Sequence, residues 1–301
     1  MTSRTNSSTL SRVQPQAWAR PARRRFQSWR RLARNRLALL ALAIIVLVTG
    51  AAIFAPLLAP FDPAAQETSL SLRPPLTSEH LLGTDQYGRD VLSRLLFGAR
   101  VSLSVGLVAV IILIVLGAVF GAVAGYYGGN VDSGIMRFVD VMLSIPQFFL
   151  LLAVVAVFGP SLPMTMLIIG LTSWMGTARL VRGQFLSLRV KEFVTAAKVV
   201  GASDVRIIHR HLLVNTMPVI IIQAALSLSF AILVEASLSY LGLGAQPPTA
   251  SWGNMLSDGK NFMRTSWWLT VFPGLAVFLT VLAFNVLGDA LREALDPRLK
   301  V

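Results

Sequence analysis

Most of this chain is Leu, Val, Ile and Ala, so chemistry has to be sought where charge, amide or imidazole interrupts the apolar runs. The longest interruption is EFVTAAKVVGASDVRIIHRHLLVN, from Glu192 to Asn215. Its His209 and His211 stand two apart, which on a helix points them to different sides and argues against a shared metal ion. His80 stands alone in another segment, and no metal centre is expected. Glu235 falls near the end of an apolar run, where a carboxylate placed centrally in a bilayer costs roughly 2.5–3.5 kcal/mol on insertion scales. It should therefore face the interior of a bundle, either lining a solute path or gate, or making a structural hydrogen bond. Gln223 and Ser227 lie one helical turn apart on the same run and are candidates to line such a path, although serine commonly bonds back to its own helix. Arg137 and Asp140, spaced i to i+3, should form a helical ion pair.

Catalysis is poorly served by what remains. There is no cysteine, which excludes disulfides, thiol catalysis and cysteine metal sites. No Ser and His fall together within an apolar run, as a nucleophilic hydrolase would need. Nowhere does G-x-x-x-x-G-K-[ST] occur, so a phosphate-cradling loop is missing and any ATP hydrolysis must belong to another chain.

The elements that must position these residues are membrane helices. The 301 residues are 54% hydrophobic, with a mean hydropathy of +0.67. Uncharged runs at Leu37–Leu58, Val101–Gly125, Val141–Phe158, Leu162–Ala178, Leu212–Val234 and Leu269–Gly288 each approach or exceed the roughly 20 residues that cross a bilayer core. An all-α integral membrane protein of about six spans is expected. The net charge of +13 would suit nucleic acid, but its distribution suits orientation in a membrane. Ten of the 27 basic residues precede Leu37 and seven lie between Arg179 and Arg210. With the N-terminus inside, six spans place 21 of the 27 in the cytoplasm, together with both termini and the segment 179–211.

Residues 1–36 form a basic cytoplasmic tail, with one short amphipathic piece around Trp18–Trp29 suited to anionic lipid. Arg23-Arg24-Arg25-Phe26 faintly resembles an export signal, but arginines before a first span are what orientation alone requires. Residues 37–291 form the membrane domain and 292–301 a short cytoplasmic tail. Within the domain, 59–100 is an outer loop rich in Pro, Ser and Thr, closed by a short interfacial helix carrying Val91, Leu92, Leu95 and Leu96. Gly117, Gly121 and Gly125 form a small-xxx-small series, best explained by packing inside this chain. Trp267 and Trp268 mark an aromatic belt before the last span.

In the polar segment, Phe185, Leu188, Phe193, Val194, Ala197 and Val200 make a helical apolar stripe that Gly201 breaks. Ser203 or Asp204 can then cap a second short helix bearing Val205, Ile207, Ile208 and Leu212. Helix, glycine hinge and helix make a docking element for a partner, or else a piece lying on the chain's own helices or on lipid. Ala196-Ala197, three residues, Gly201, nine residues, His211 and then Leu213 resembles the EAA loop of ATP-binding cassette importer permeases. Thr195 and Val214 depart from that motif, standing where it has glutamate and proline. Four further blocks, HLLGTDQYGRDVLSRLLFGARVSLSVG (80–106), GYYGGNVDSGIMRFVDVMLSIP (125–146), EASLSYLGLGAQPPTASWGNML (235–256) and NVLGDALREALDPRL (285–299), resemble the second permease subunit of dipeptide, oligopeptide and nickel importers.

That resemblance implies the MetI-like fold of type I importers and a bacterial inner-membrane location. It implies a pore-forming half that works with a related permease, two cytoplasmic ATPases that bind ATP and Mg, and an extracytoplasmic solute-binding protein. It also implies ATPase coupling through Ala196, Ala197, Gly201, Ala202, Ser203, Asp204, Ile207 and His211. Peptide is the first expected cargo, with nickel chelates or another small solute behind it. An ion-coupled carrier is the rival, but it would need ionisable relays in mid-membrane, and Glu235 alone comes near.

Overall fold

A computed structural model describes residues 35–76 and 79–295. The amphipathic piece around Trp18–Trp29, the arginines at 23–25 and the last six residues of the C-terminal tail lie outside the described residues. Among the described residues every regular element is helical, apart from an isolated antiparallel bridge between Thr84 and Asp90.

Helix α1, Arg36–Ile53, starts where the Asn35 side chain accepts from the backbone N–H groups of Leu37 and Ala38 at 3.0 and 3.2 Å. The apolar run continues past Phe54 as a separate turn, α2, Ala55–Leu58, opened by Pro56. Helix α3, Val91–Tyr127, is capped by the Asp90 carboxylate on Ser93 N at 2.7 Å and stopped by Gly128 at φ +70°. Its 37 residues correct the expectation of an interfacial helix followed by a span. Arg94 interrupts the hydropathy, but it is buried and neutralised, so the helix has no reason to end there.

The run expected as the third span is broken. Helices α4, Gly129–Ser144, and α5, Gln147–Phe158, meet at 81°. Pro146 offers no N–H and forces Ile145 to extended backbone (φ −88°, ψ 122°), which ends α4. Helix α6, Leu162–Leu188, follows, with Pro163 tolerated in its first turn. The remaining elements are α7, Glu192–Val199; α8, Asp204–Arg206; a π-helical turn, Ile207–Leu213; α9, Val214–Tyr240; α10, Trp252–Gly259; and α11, Trp268–Leu295. Five stretches are long and apolar enough to cross a membrane among the described residues: α1, α3, α6, Asp204–Tyr240 and α11. The α4–α5 pair makes six if taken as one broken span.

Helices α3 and α6 form the centre of the bundle. A Cβ added at Gly117 would lie 2.5 Å from Thr177 Cβ, one at Gly121 2.5 Å from Ala178 O, and one at Gly125 2.6 Å from Phe185 Cβ. The glycine stripe is thus an internal seam that lets two backbones touch, as expected from packing within one chain.

At one end of the bundle, residues 62–76 and 79–90 fold back over α3, α10 and α11. Arg89 Nε donates to Asp85 Oδ2 at 2.6 Å, and the Nη2 groups of Arg89 and Arg94 both donate to Asp258 Oδ2, at 3.0 and 3.2 Å. Trp268 Nε1 donates to Thr84 O at 3.2 Å, pinning the fold-back to α11. His80 is not isolated, as its spacing implied: Nδ1 lies 2.9 Å from Asp90 Oδ1 and its ring packs on Phe61. Nor is the pair from Arg137 to Asp140 formed. Asp140 accepts from Arg179 of α6 instead, because the tilt of α4 lays its carboxylates along α6, where Arg182 also clasps Asp132 at 2.5 and 2.6 Å.

Candidate functional site

Two regions carry the candidate residues, one at the opposite end of the bundle and one midway along it. At the end, α7 closes in a Schellman motif. Gly201 N–H donates to Lys198 O at 2.9 Å and Ala202 N–H to Ala197 O at 3.0 Å, with Gly201 at φ +81°. No atom lies within 4 Å of a Cβ built on Gly201, so its requirement is conformational rather than steric. Ser203 occupies the cap position of α8 without a side-chain cap bond. The second helix is not a separate short piece, since α8 runs through the π-helical turn into α9 without interruption.

The apolar residues of this segment divide into two sets. Val194, Ile207 and Leu212 are fully buried against Val181 and Phe185 of α6, with Ala197, Ala202 and Ile208 half-buried around them. Val199, Val200 and Val205 remain 82%, 87% and 65% exposed and surround the Gly201 cap. Ala196, Gly201, Ser203 and Asp204 are exposed, whereas His211 is half-buried on the π turn. Part of the stripe thus lies on the chain's own helices, and part is left uncovered.

Sequence reasoning missed what fastens the segment to the spans. Tyr126 Oη, at the end of α3, donates to Asp204 Oδ1 at 2.6 Å, and Lys198 Nζ lies 5.7 Å from the Tyr126 ring centroid. Arg189 Nη1 donates to the carbonyls of Gly125 and Tyr126, both at 3.3 Å, satisfying orphan acceptors at the end of that helix. The end of α3 is thus tied both to α8, through Asp204, and to the end of α6, through Arg189. The one available signal was Tyr126-Tyr127 before the Gly128-Gly129 break.

Midway along the bundle, α3, α6, α9 and the broken α4–α5 pair line an open cavity of about 430 Å³. Gln147, Thr172, Ser173, Gln223 and Ser227 supply its polar lining, and leucine, methionine and phenylalanine side chains fill the rest. Gln147 Nε2 donates to Ser173 Oγ at 2.7 Å and to Thr172 Oγ1 at 3.3 Å, and Gln223 Nε2 donates to Ser227 Oγ at 3.2 Å. Gln223 and Ser227 thus share this space with three residues that spacing could not associate with them. Glu235 is fully buried further along α9, outside the cavity lining. Its Oε2 accepts from Ser102 Oγ at 2.8 Å and its Oε1 from Ser239 Oγ at 2.7 Å. Among the described residues no three His, Asp or Glu side chains gather as metal ligands would.

Comparison with known proteins places these features in a wider group. Residues 117–301 match the binding-protein-dependent transport system inner membrane component, and residues 25–75 match the N-terminal TM domain of oligopeptide transport permease C. The chain is 44% identical to the dipeptide transport system permease protein DppC of Alkalihalophilus pseudofirmus, over 91% of this chain and 90% of that one. It is 47% identical to the protein of that name from Escherichia coli K12, over 90% of this chain and 92% of that one, and 42% identical to its Bacillus subtilis counterpart, over 91% and 85%.

Proposed function

Since this chain belongs to the family of binding-protein-dependent transport system inner membrane components, it is a permease subunit of a bacterial importer, and we propose that it carries peptides and is driven by partner ATPases. Relatives named as dipeptide permeases along nearly their whole length support the cargo. The partners are a second, related permease, two ATP-binding cassette subunits that hold ATP and Mg on the cytoplasmic side, and an extracytoplasmic solute-binding protein. Both termini and the Gly201 end of the bundle face the cytoplasm, where the basic residues concentrate.

The observation that carries the coupling role is the uncovered apolar edge at Val199, Val200 and Val205, held in a fixed shape by the Gly201 cap. Covering such side chains contributes about 25 cal/mol per Å² of apolar surface removed from water, enough to favour docking on an ATPase groove. Ala196, Ala197, Gly201, Ala202, Ser203, Asp204, Ile207 and His211 form or support that edge. Closure of the ATPases on nucleotide pulls the edge, and the Tyr126 and Arg189 contacts pass the pull to α3 and α6. Work is done only because the two access states offer the partner different contacts; equal affinity for both would shift nothing. Gln223 and Ser227 line the solute path, and Glu235 braces the helices beside it through Ser102 and Ser239.

A single cysteine at Ser203, in a chain that has none of its own, paired with one in the ATPase groove, tests this. Crosslinking that rises and falls with nucleotide state is expected. Absence of a crosslink in every nucleotide state would remove the coupling role.

A further inference from the structure

The break at Ile145-Pro146 is non-helical backbone between two helices that together are long and apolar enough to cross a membrane or to enter it as a re-entrant loop. Such backbone survives at that depth only where it is buried in protein or lines a wet cavity, because lipid leaves its polar groups unsatisfied. Leu143 and Gln147, on either side of the break, both line the 430 Å³ cavity. Ser173 sits near the middle of α6 and Gln223 in the first half of α9, so the polar lining lies far from both ends of the bundle. The volume falls in the range of small-molecule sites, roughly 300–1,000 Å³, as does the mixture of apolar wall and a few placed polar groups.

The chemistry of the lining narrows the ligand. Every polar side chain in it is neutral: two carboxamides and three hydroxyls. Each carboxamide nitrogen is anchored on a hydroxyl of the protein, Gln147 on Ser173 and Thr172, and Gln223 on Ser227. Each carboxamide oxygen is left without a donor among the described residues. Two fixed, uncharged acceptors suit two backbone N–H groups, and they are indifferent to the side chains between them. A charged wall would hold some cargoes and repel others, whereas passage requires binding that is strong enough to enter and weak enough to leave.

Building on the peptide reading above, we propose that this cavity is a transient peptide-binding site in which the Gln147 and Gln223 carboxamide oxygens accept hydrogen bonds from the main-chain N–H groups of the passing peptide. Recognition of amino-acid sequence is then left to other components, and the permease reads the amide backbone alone.

The test uses the complete transporter in vesicles and two probes, Ala-Ala and alanyl-lactate, in which an ester oxygen replaces the amide N–H. The ratio of their uptake rates contains any discrimination by the binding protein, equally in every variant, so a change in the ratio belongs to the permease. Ala-Ala carries one amide N–H, which alanyl-lactate lacks, and an ammonium, which alanyl-lactate keeps. Whichever of Gln147→Ala and Gln223→Ala removes the acceptor of the amide N–H should lower the Ala-Ala to alanyl-lactate ratio by roughly two- to tenfold, the worth of one hydrogen bond. The other should slow both probes alike. Gly176→Leu is a second probe. Gly176 lines the cavity, and a Cβ there meets nothing within 4 Å, so a larger side chain starts out into open space; the yield of monodisperse protein checks that the fold is kept. This variant should slow Ala-Ala-Ala more than Ala-Ala. Unchanged ratios in both glutamine variants, or equal effects of Gly176→Leu on the two peptides, would overturn the proposal. If the unaltered transporter moves neither peptide, the cargo reading fails first and this site falls with it, an outcome visible before any variant is made.

Discussion

Glu235 shows how far a single residue can be read. Its inward orientation follows from the cost of a carboxylate in hydrocarbon, and the fully buried side chain obeys it. Its partners were not legible, because Ser102 lies 133 positions earlier and only the α3–α9 contact brings it near. Glu235 supplies the acceptors for two buried hydroxyls, and Ser239 Oγ in turn accepts from Ala245 N at 3.1 Å. Glu235→Ala should leave both hydroxyls unpaired and cost about 1–3 kcal/mol, seen as a lower melting temperature of the purified protein in detergent. Glu235→Gln keeps one acceptor and should fall between; a Glu235→Ala protein that melts with the parent would rule out the bracing role. The amides follow the same rule. Gln223 and Ser227 were legible as an i, i+4 pair, but Gln147, Thr172 and Ser173 joined them only through a bend that spacing does not encode.

Among the elements, the apolar runs located the spans well because bilayer thickness sets their length, and their interruptions were harder to interpret. Arg94 and Arg100 split the second run in hydropathy without splitting the helix, since Arg94 finds Asp258 far along the chain. Pro146 did the reverse: the apolar composition continues through it, yet the backbone turns by 81°. Hydropathy averages over side chains and is blind to a missing N–H. The glycine stripe is the element-scale feature with the sharpest consequence. At Gly121 a Cβ would meet the Ala178 carbonyl and the Val181 side chain, both belonging to a packed backbone that cannot give way. Gly121→Leu should push α3 and α6 apart and leave little folded protein in the membrane, measured as yield of monodisperse material. Gly134→Leu, at a position with no neighbour within 4 Å of a Cβ, should leave that yield unchanged. Equal yields of the two would show that the seam is looser than it looks.

For the whole molecule, the bundle leaves Val199, Val200 and Val205 exposed at its Gly201 end and ties its other end shut around Asp258. Arg89 and Arg94 are buried and share one carboxylate oxygen of Asp258, whose side chain is 34% exposed. Breaking a buried pair costs about 3–5 kcal/mol, and the partial exposure of Asp258 places Asp258→Asn at about 3 kcal/mol or below. A lower melting temperature, together with faster proteolysis within residues 62–90, is the expected result; unaltered proteolysis would show that the fold-back is held by Trp268 and the Asp90 contacts instead. The same ion cluster also imposes an order on biogenesis. Arg94 leaves the ribosome 164 residues before Asp258. Asp85, 3.5 Å from Arg94 Nε, is already made by then; at roughly 5–20 residues per second, the nascent chain waits about 10–30 s more for the second carboxylate, Asp258. The crown of the protein therefore sets last, and a chain truncated before Asp258 would leave two arginines crowded on the single carboxylate of Asp85.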